Sequence, residues 1–188
     1  MHDPSDEQLM LAYADGHSSA FEQLYERHGA PLYRFILRQV GDPATANDLY
    51  QGSWEKIIKA RRSYRHTAPF RAWIYRIARN HLADHFRRLP PIADSEIDQL
   101  TDRGDGPEHL LALSQDAAAL KQAVALLPAA QKEALLLKLE GGLDLQSIAS
   151  ITGVNTETAK SRLRYALAKL QPLMRDRENT TGHWHESV

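Results

Sequence analysis

The chain has 188 residues, of which 43% are hydrophobic, with no cysteine and a formal net charge of −1. This is enough apolar material for a packed interior in one large or two small domains, and it excludes a disulfide framework or a thiolate metal site. No run approaches the roughly 18 to 20 apolar residues of a membrane span, and Met1 to Glu7 is acidic where an export signal is basic, so a soluble cytoplasmic protein without membrane insertion is expected.

Period-two alternation does not persist anywhere, whereas apolar spacings of three and four recur from Leu9 to Leu173, so the expected fold class is all-α. A first short helix runs from about Asp6 to Ala14 and is ended by Asp15-Gly16. A second is expected to begin at Ser19, with Glu22 completing a capping box, and to bury Phe21, Leu24, Tyr25, His28, Leu32, Phe35 and Ile36. Pro31 should bend that helix or split it near Gly29. Asp42-Pro43 supplies a cap and a first-turn proline for a third helix reaching about Arg62, and a loop from Ser63 to Pro69 leads to a fourth, about Phe70 to Arg88. These four make a first domain, residues 1–88.

Leu89 to Pro107 contains Pro90-Pro91, Gly104, Gly106 and a run of acids with no helical stripe, and it reads as a flexible linker. A second domain, residues 108–175, is expected to hold helices at about 108–126, 129–140, 144–151 and 156–173, with Pro128 starting the second of these and Gly141-Gly142 stopping it. Residues 176–188 are a tail.

The near-neutral net charge hides a strong segregation. Residues 61–88 carry eight arginines against one aspartate (net +7), residues 89–120 one arginine against seven acids (net −6), and residues 121–175 eight Lys/Arg against four Asp/Glu (net +4). Two basic blocks around an acidic one suggest two places for a phosphate backbone and a segment between that avoids it.

The most informative motif runs from Asp144 to Arg164 and has the shape of a helix-turn-helix. Ile148 and Ala149 face the core of a short helix, Gly153 makes the turn, Val154 plugs the angle, and Asn155 or Thr156 caps the next helix. Ala159, Leu163, Ala166, Leu167 and Leu170 share one face of that second helix. Glu157, Thr158, Ser161, Arg162, Arg164 and Tyr165 lie outside it, the polar and basic set that base edges and phosphates require.

The basic block from Arg61 to Arg88 interleaves aromatic residues. Phe70, Trp73, Ile74, Ile77 and His81 are expected to bury together, while Arg76, Arg79, Asn80, Ala83 and Arg87 line a separate stripe spaced to follow a groove or a displaced strand. Arginine offers bidentate contacts, asparagine can pair with adenine, and the preceding loop could hold an unstacked base against Tyr64.

Both blocks, in this order and at this separation, resemble the extracytoplasmic-function sigma factors of bacterial RNA polymerase. Ala72 to Asn80 and His85 to Arg88 are similar to the region that melts and reads the minus-10 promoter element. Leu126 to Leu137 and the helix-turn-helix around Lys160 to Leu163 are similar to the region that reads the minus-35 element. The resemblance implies two helical domains on a tether and, as partners, the clamp coiled coil and flap of core polymerase, promoter DNA and an anti-sigma protein. It implies that Tyr64, Arg76, Arg79, Asn80, Arg87 and Arg88 hold minus-10 DNA. Thr158, Lys160, Ser161, Arg162, Arg164 and Tyr165 would hold minus-35 DNA, and Asp48, Leu49, Gln51 and Trp54 would dock on polymerase. Catalytic residues, cofactor and metal are expected to be absent.

The chain departs from the family's acidic docking pattern at Asn47, Tyr50 and Gly52. The expectation is docking that is weak, aided by apolar contact from Trp54, or rescued by a kinase acting on Ser53, Ser63 or Thr67. The competing readings are a stand-alone helix-turn-helix regulator and a helical adaptor without DNA contact.

Overall fold

The structure is a computed structural model and describes residues 3–89 and 121–181; most of the expected linker, the first part of the second domain and the end of the tail lie outside the described residues. Helix α1 spans Asp6–Ala14, α2 Ser18–Val40, α3 Pro43–Ala60 and α4 Phe70–Arg88, with a single 3-10 turn at Arg61–Ser63. In the second module residues 121–125 are helical, followed by α5 (Ala129–Leu139), α6 (Leu145–Thr152) and α7 (Thr156–Thr181). Among the described residues there is no strand, and no helix is long and apolar enough to cross a membrane.

The capping box lies at the start of α1, not α2. The Ser5 hydroxyl accepts the Gln8 amide at 3.2 Å while the Gln8 side chain accepts the Ser5 amide at 2.9 Å. Helix α2 starts at Ser18 without a side-chain cap, because Gly16 takes a left-handed turn (φ 105°) and the His17 amide bonds back to the Ala12 carbonyl at 3.0 Å. The expected Ser19–Glu22 box therefore does not form.

Pro31 does not split α2, which runs unbroken for 23 residues. Proline forfeits one intrahelical hydrogen bond. Leu24, His28, Leu32, Phe35 and Ile36, on both sides of it, all enter one core and hold the helix together. Phe21 is only half-buried and Tyr25 is 43% exposed, so the stripe is narrower than expected. Large apolar side chains buried to this degree stabilise a fold by about 1.5–3 kcal/mol each.

In the first module α2 packs against α1 and α3, and α4 lies across α1, α2 and α3. Helices α3 and α4 approach closely at Gly52, where an added Cβ would lie 2.6 Å from Nε2 of His81. Gly52, read from sequence as a lost acid, thus has a packing reason. In the second module α5 and α6 both rest on α7.

The two modules are not held apart. Helix α2 packs on α5 and α4 on α6, and the buried residues of both modules join in one apolar cluster. The two helical modules expected from sequence are both present, and in this structure they lie against one another. Apolar contacts hold them together, and a set of arginine contacts described below links residues far apart in the chain across the same seam.

Alanine is a better helix former than glycine by about 1 kcal/mol. Gly52→Ala should nonetheless lower stability by about 1–3 kcal/mol, because the crossing leaves no space for a methyl group. Urea unfolding checks this, and a gain in stability would show that the His81 ring simply swings aside.

Candidate nucleic-acid interface

Helix α4 carries most of the arginines of the first basic block, yet its N-cap residue, Pro69, offers no side-chain hydrogen bond. The missing cap comes from α1, where Oε1 of Glu7 accepts the Phe70 amide at 2.9 Å. Burial alone pushes the Glu7 carboxyl up, but the bond from the Phe70 amide brings it below the usual carboxylate range. Asp6 beside it accepts from Nη1 of Arg27 at 3.0 Å, lies 2.8 Å from Nε2 of His28 and lies 3.8 Å from Nε of Arg71. Burial lowers the His28 pKa against the pull of the Asp6 charge. Neither acid was singled out from sequence; the only signal was their place in the first turn of a helix, which pointed to local capping.

Of the expected buried face of α4, Phe70 and Ile74 are fully enclosed, Trp73, Ile77 and His81 are half-buried, and Tyr75, Ala78 and Leu82 complete the core. Arg76 and Asn80 are exposed on the expected stripe and Arg87 continues it, paired with Asp84. Arg79 is half-buried. Arg88 lies apart, lining a cleft of about 440 Å³ between α3 and α4 together with Asp48, Lys56, His81 and His85.

Tyr64 requires a correction. Its ring is 4% exposed, edge-on to Trp73 at 5.2 Å, with the hydroxyl donating to the Ala68 carbonyl at 3.3 Å. Burial, with Glu7 and Asp6 close by, pushes its phenol up to about 12. It is a core residue here and presents no face on which a base could stack.

The docking motif divides in the same way. Asp48 and Gln51 are exposed on α3, whereas Leu49 and Trp54 are each 5% exposed and belong to the core. Trp54 packs 4.9 Å from Tyr25 and 5.6 Å from Phe21, so it cannot supply the surface contact expected of it in this conformation. Ser53 is 1% exposed and its hydroxyl donates to the Leu49 carbonyl at 2.7 Å, which closes it to a kinase. Ser63 and Thr67 are exposed.

The helix-turn-helix is built as its residues suggest. Oδ1 of Asp144 accepts the Ser147 amide at 2.7 Å and caps α6, Gly153 ends that helix at φ 70°, and Oδ1 of Asn155 caps α7 through the Thr158 amide at 2.7 Å. Ala159, Leu163, Ala166 and Leu170 are buried, but Leu167 is 50% exposed. At 3.6 residues per turn Leu167 stands roughly 70° from the centre of the face the other four define, so it falls on its margin. Lys160, Arg164 and Tyr165 are exposed, and Thr158, Ser161 and Arg162 half-exposed. The Arg164 guanidinium lies 5.1 Å from the centre of the Tyr165 ring. Among the described residues Lys160, Arg162 and Arg164 have no ion pair.

The arginines facing the second module are in a different state. Arg34 and Arg38 of α2 hold the two oxygens of Glu140, at 2.8 and 2.6 Å, and the Glu140 side chain is only 6% exposed. Arg79 of α4 pairs with Glu133 at 3.0 Å, Nη2 of Arg76 donates to the Ser150 hydroxyl at 2.9 Å, and Nζ of Lys132 reaches the Gln39 carbonyl at 3.5 Å. Burial lowers the Lys132 pKa.

An arginine- and asparagine-lined helix beside a helix-turn-helix defines a two-module DNA-binding protein of all-α class. Residues 24–89 match the family model described as Sigma-70 region 2, and residues 117–170 match Sigma-70, region 4. The extracytoplasmic-function (ECF) RNA polymerase sigma factor BldN of Streptomyces coelicolor is 32% identical over 84% of this chain, which spans 62% of the length of that relative. The ECF RNA polymerase sigma factor SigL of Mycobacterium tuberculosis is 30% identical over 84% of this chain and 90% of its own length. The sigma factor RpoE from Bartonella quintana, solved in complex with the anti-sigma factor NepR, aligns with a TM-score of 0.67 and 28% identity, over 82% of this chain and 96% of that one. The chain belongs to the ECF RNA polymerase sigma factors. Matches to both regions do not favour a stand-alone helix-turn-helix regulator.

Asn155→Ala should cost about 1 kcal/mol through loss of the α7 cap. Thermal unfolding measures it, and an unchanged midpoint would remove the cap from the account of how α7 is oriented.

Proposed function

We propose that this protein directs promoter-specific transcription initiation in the cytoplasm by binding core RNA polymerase and reading two promoter elements, without bond chemistry of its own. The observation that carries the reading is the free cationic margin of α7, where Lys160, Arg162 and Arg164 stand unpaired beside Thr158, Ser161 and Tyr165 on a helix whose opposite face is buried. A helix-turn-helix places such a helix in the major groove, with side chains at base edges and phosphates. This is the minus-35 reader.

The minus-10 reader is the α4 stripe of Arg76, Arg79, Asn80 and Arg87. Capture of a melted strand there must offset stacking worth about 1–2 kcal/mol per base step. Arginine and asparagine on a fixed helix can do so through phosphate and base-edge contacts. Docking on polymerase falls to the exposed face of α3 with Asp48 and Gln51, and Arg88 joins that face across the cleft. Sigma factors among the solved relatives are held by anti-sigma proteins, and the same class of partner is proposed here.

Added to core polymerase, the protein should give promoter-specific run-off transcripts; their absence, with binding to duplex DNA retained, would defeat the reading. Arg162→Ala should weaken minus-35 recognition by about 1–3 kcal/mol if the side chain reads a base. Equal activity on consensus and scrambled minus-35 sequences would exclude base reading. Changing Asn80 to Ala should impair opening at the minus-10 element and leave polymerase binding intact, so loss of core binding in that variant would show the partition of roles to be wrong.

A further inference from the structure

Helix α3 carries Asp48, Gly52 and Lys56 at intervals of four residues, and α4 carries His81, Asp84, His85 and Arg88 at intervals of three and four, so each set shares one helix face. The two faces meet across the cleft of about 440 Å³, a volume within the range of small-molecule sites, roughly 300 to 1,000 Å³. Gly52 lines it, and a Cβ there would lie 2.6 Å from Nε2 of His81, so any larger residue takes space from the cleft. None of Arg76, Arg79, Asn80 and Arg87 lines it, which separates it from the stripe assigned to DNA.

The charges of the cleft are incompletely matched. Lys59 pairs with Glu55, and Arg87 with Asp84, whereas Lys56 and Arg88 are exposed and make no ion pair among the described residues. Asp84 is thereby engaged, and Asp48 is the remaining acid of the cleft. The His81 ring registers the positive surplus. Burial first, and then the Lys56 charge, lower its pKa, with His85 and Arg88 adding to them and Asp84 opposing. His81 and His85 stand one turn apart, but among the described residues no three histidine, aspartate or glutamate side chains gather as a metal site. The ligand that suits such a cleft is an anion.

We propose that this cleft binds a small phosphate ester, a sugar phosphate or a nucleoside monophosphate, with Lys56 and Arg88 holding the phosphate and the Asp48 carboxylate accepting a sugar hydroxyl. Ammonium and guanidinium groups bind phosphate through charge-assisted hydrogen bonds. A bare phosphate leaves Asp48 facing another anion, whereas an ester turns hydroxyl donors toward it, and this selects the ester. A bound ester also engages Asp48 and Arg88, which the proposed function places on the polymerase-docking face. On that reading, ester and polymerase compete for one surface.

Calorimetric titration of the full chain with adenosine monophosphate, ribose phosphate, inorganic phosphate and adenosine tests the site. Both esters should bind about tenfold more tightly than inorganic phosphate or adenosine, one well-made charged hydrogen bond being worth about that factor. Equal affinity for the two esters assigns the cleft to sugar phosphates, and a preference for adenosine monophosphate assigns it to nucleotides. Lys56→Gln with Arg88→Gln should weaken ester binding about tenfold or more. Lys59→Gln with Arg62→Gln, which removes the same charge outside the cleft, should change it less than about twofold. All four side chains are exposed, so neither double variant disturbs the core. In a second readout, the His81 ring is titrated by magnetic resonance on isotope-labelled protein with and without sulfate, which stays doubly charged across the range. An anion beside the ring favours the imidazolium, so sulfate should raise the His81 pKa and bind more tightly as pH falls.

Absence of ester binding, or equal losses in the two double variants, overturns the site. Inorganic phosphate that binds as tightly as the esters overturns the part given to Asp48, and adenosine that does so overturns the phosphate anchor. A His81 titration unmoved by bound sulfate places the anion elsewhere and overturns the assignment to this cleft. Saturating ester should weaken binding to core polymerase about tenfold; an unchanged affinity overturns the competition and leaves the site. A chain that binds no core polymerase under any condition defeats the proposed function, while the titrations still decide the cleft.

Discussion

Helix α4 begins at a proline that cannot cap it, and the bond from the Phe70 amide to the Glu7 carboxylate fixes where its first turn points. The rest of the molecule is arranged around that direction. Asp6, one residue earlier, draws Arg27 and His28 of α2 toward the same end of α4 with Arg71 alongside, so α1 ties two helices whose own contact is small. Helix α1 thus acts as a strap. It lies before the stretch matched as Sigma-70 region 2, yet it supplies the N-terminal cap of the helix that carries most arginines of the first basic block.

What could be read from the sequence was what depends on neighbours along the chain. The helix-turn-helix was legible because its cap, left-handed glycine and buried small residues lie within some twenty positions, and Asp144, Gly153 and Asn155 do locally what their types predict. Helix existence was legible for the same reason. The Ser19 box failed because capping depends on where a tight turn returns the chain, and Gly16 with His17 decides that one residue earlier. Tyr64 and Trp54 were misread because an aromatic residue in a basic or acidic motif looks the same whether it faces in or out. Only packing against Trp73, or against Phe21 and Tyr25, shows which. The pairing of Arg34 with Glu140 joins residues 106 positions apart, and nothing periodic in either helix announces it.

Net charge by segment was informative about partners and uninformative about acids. The second basic block contains only four acidic residues, Glu133, Glu140, Asp144 and Glu157. Two of them hold arginines of the other module, and a third caps α6. A sum of charges treats these as a dilution of positive potential. In the fold they are placed groups, and the positive field of the second module is left to the side of α7 that faces solvent.

The two basic surfaces are therefore unequally available. Lys160, Arg162 and Arg164 of α7 have no ion pair among the described residues, while Arg76 and Arg79 of α4 are occupied within the chain. Lys160, Arg162 and Arg164 can meet a phosphate without disturbing any contact between modules, whereas Arg79 can do so only by giving up Glu133. Arg34 and Arg38 remain nearly half exposed, which limits what each pair contributes even though the Glu140 carboxylate is nearly enclosed. The apolar contacts between α2 and α5 and between α4 and α6 are thus the larger barrier, and the ionic contacts set which face is covered while the modules are together. A partner that binds α3 or the linker would favour opening only by as much as it prefers the separated modules.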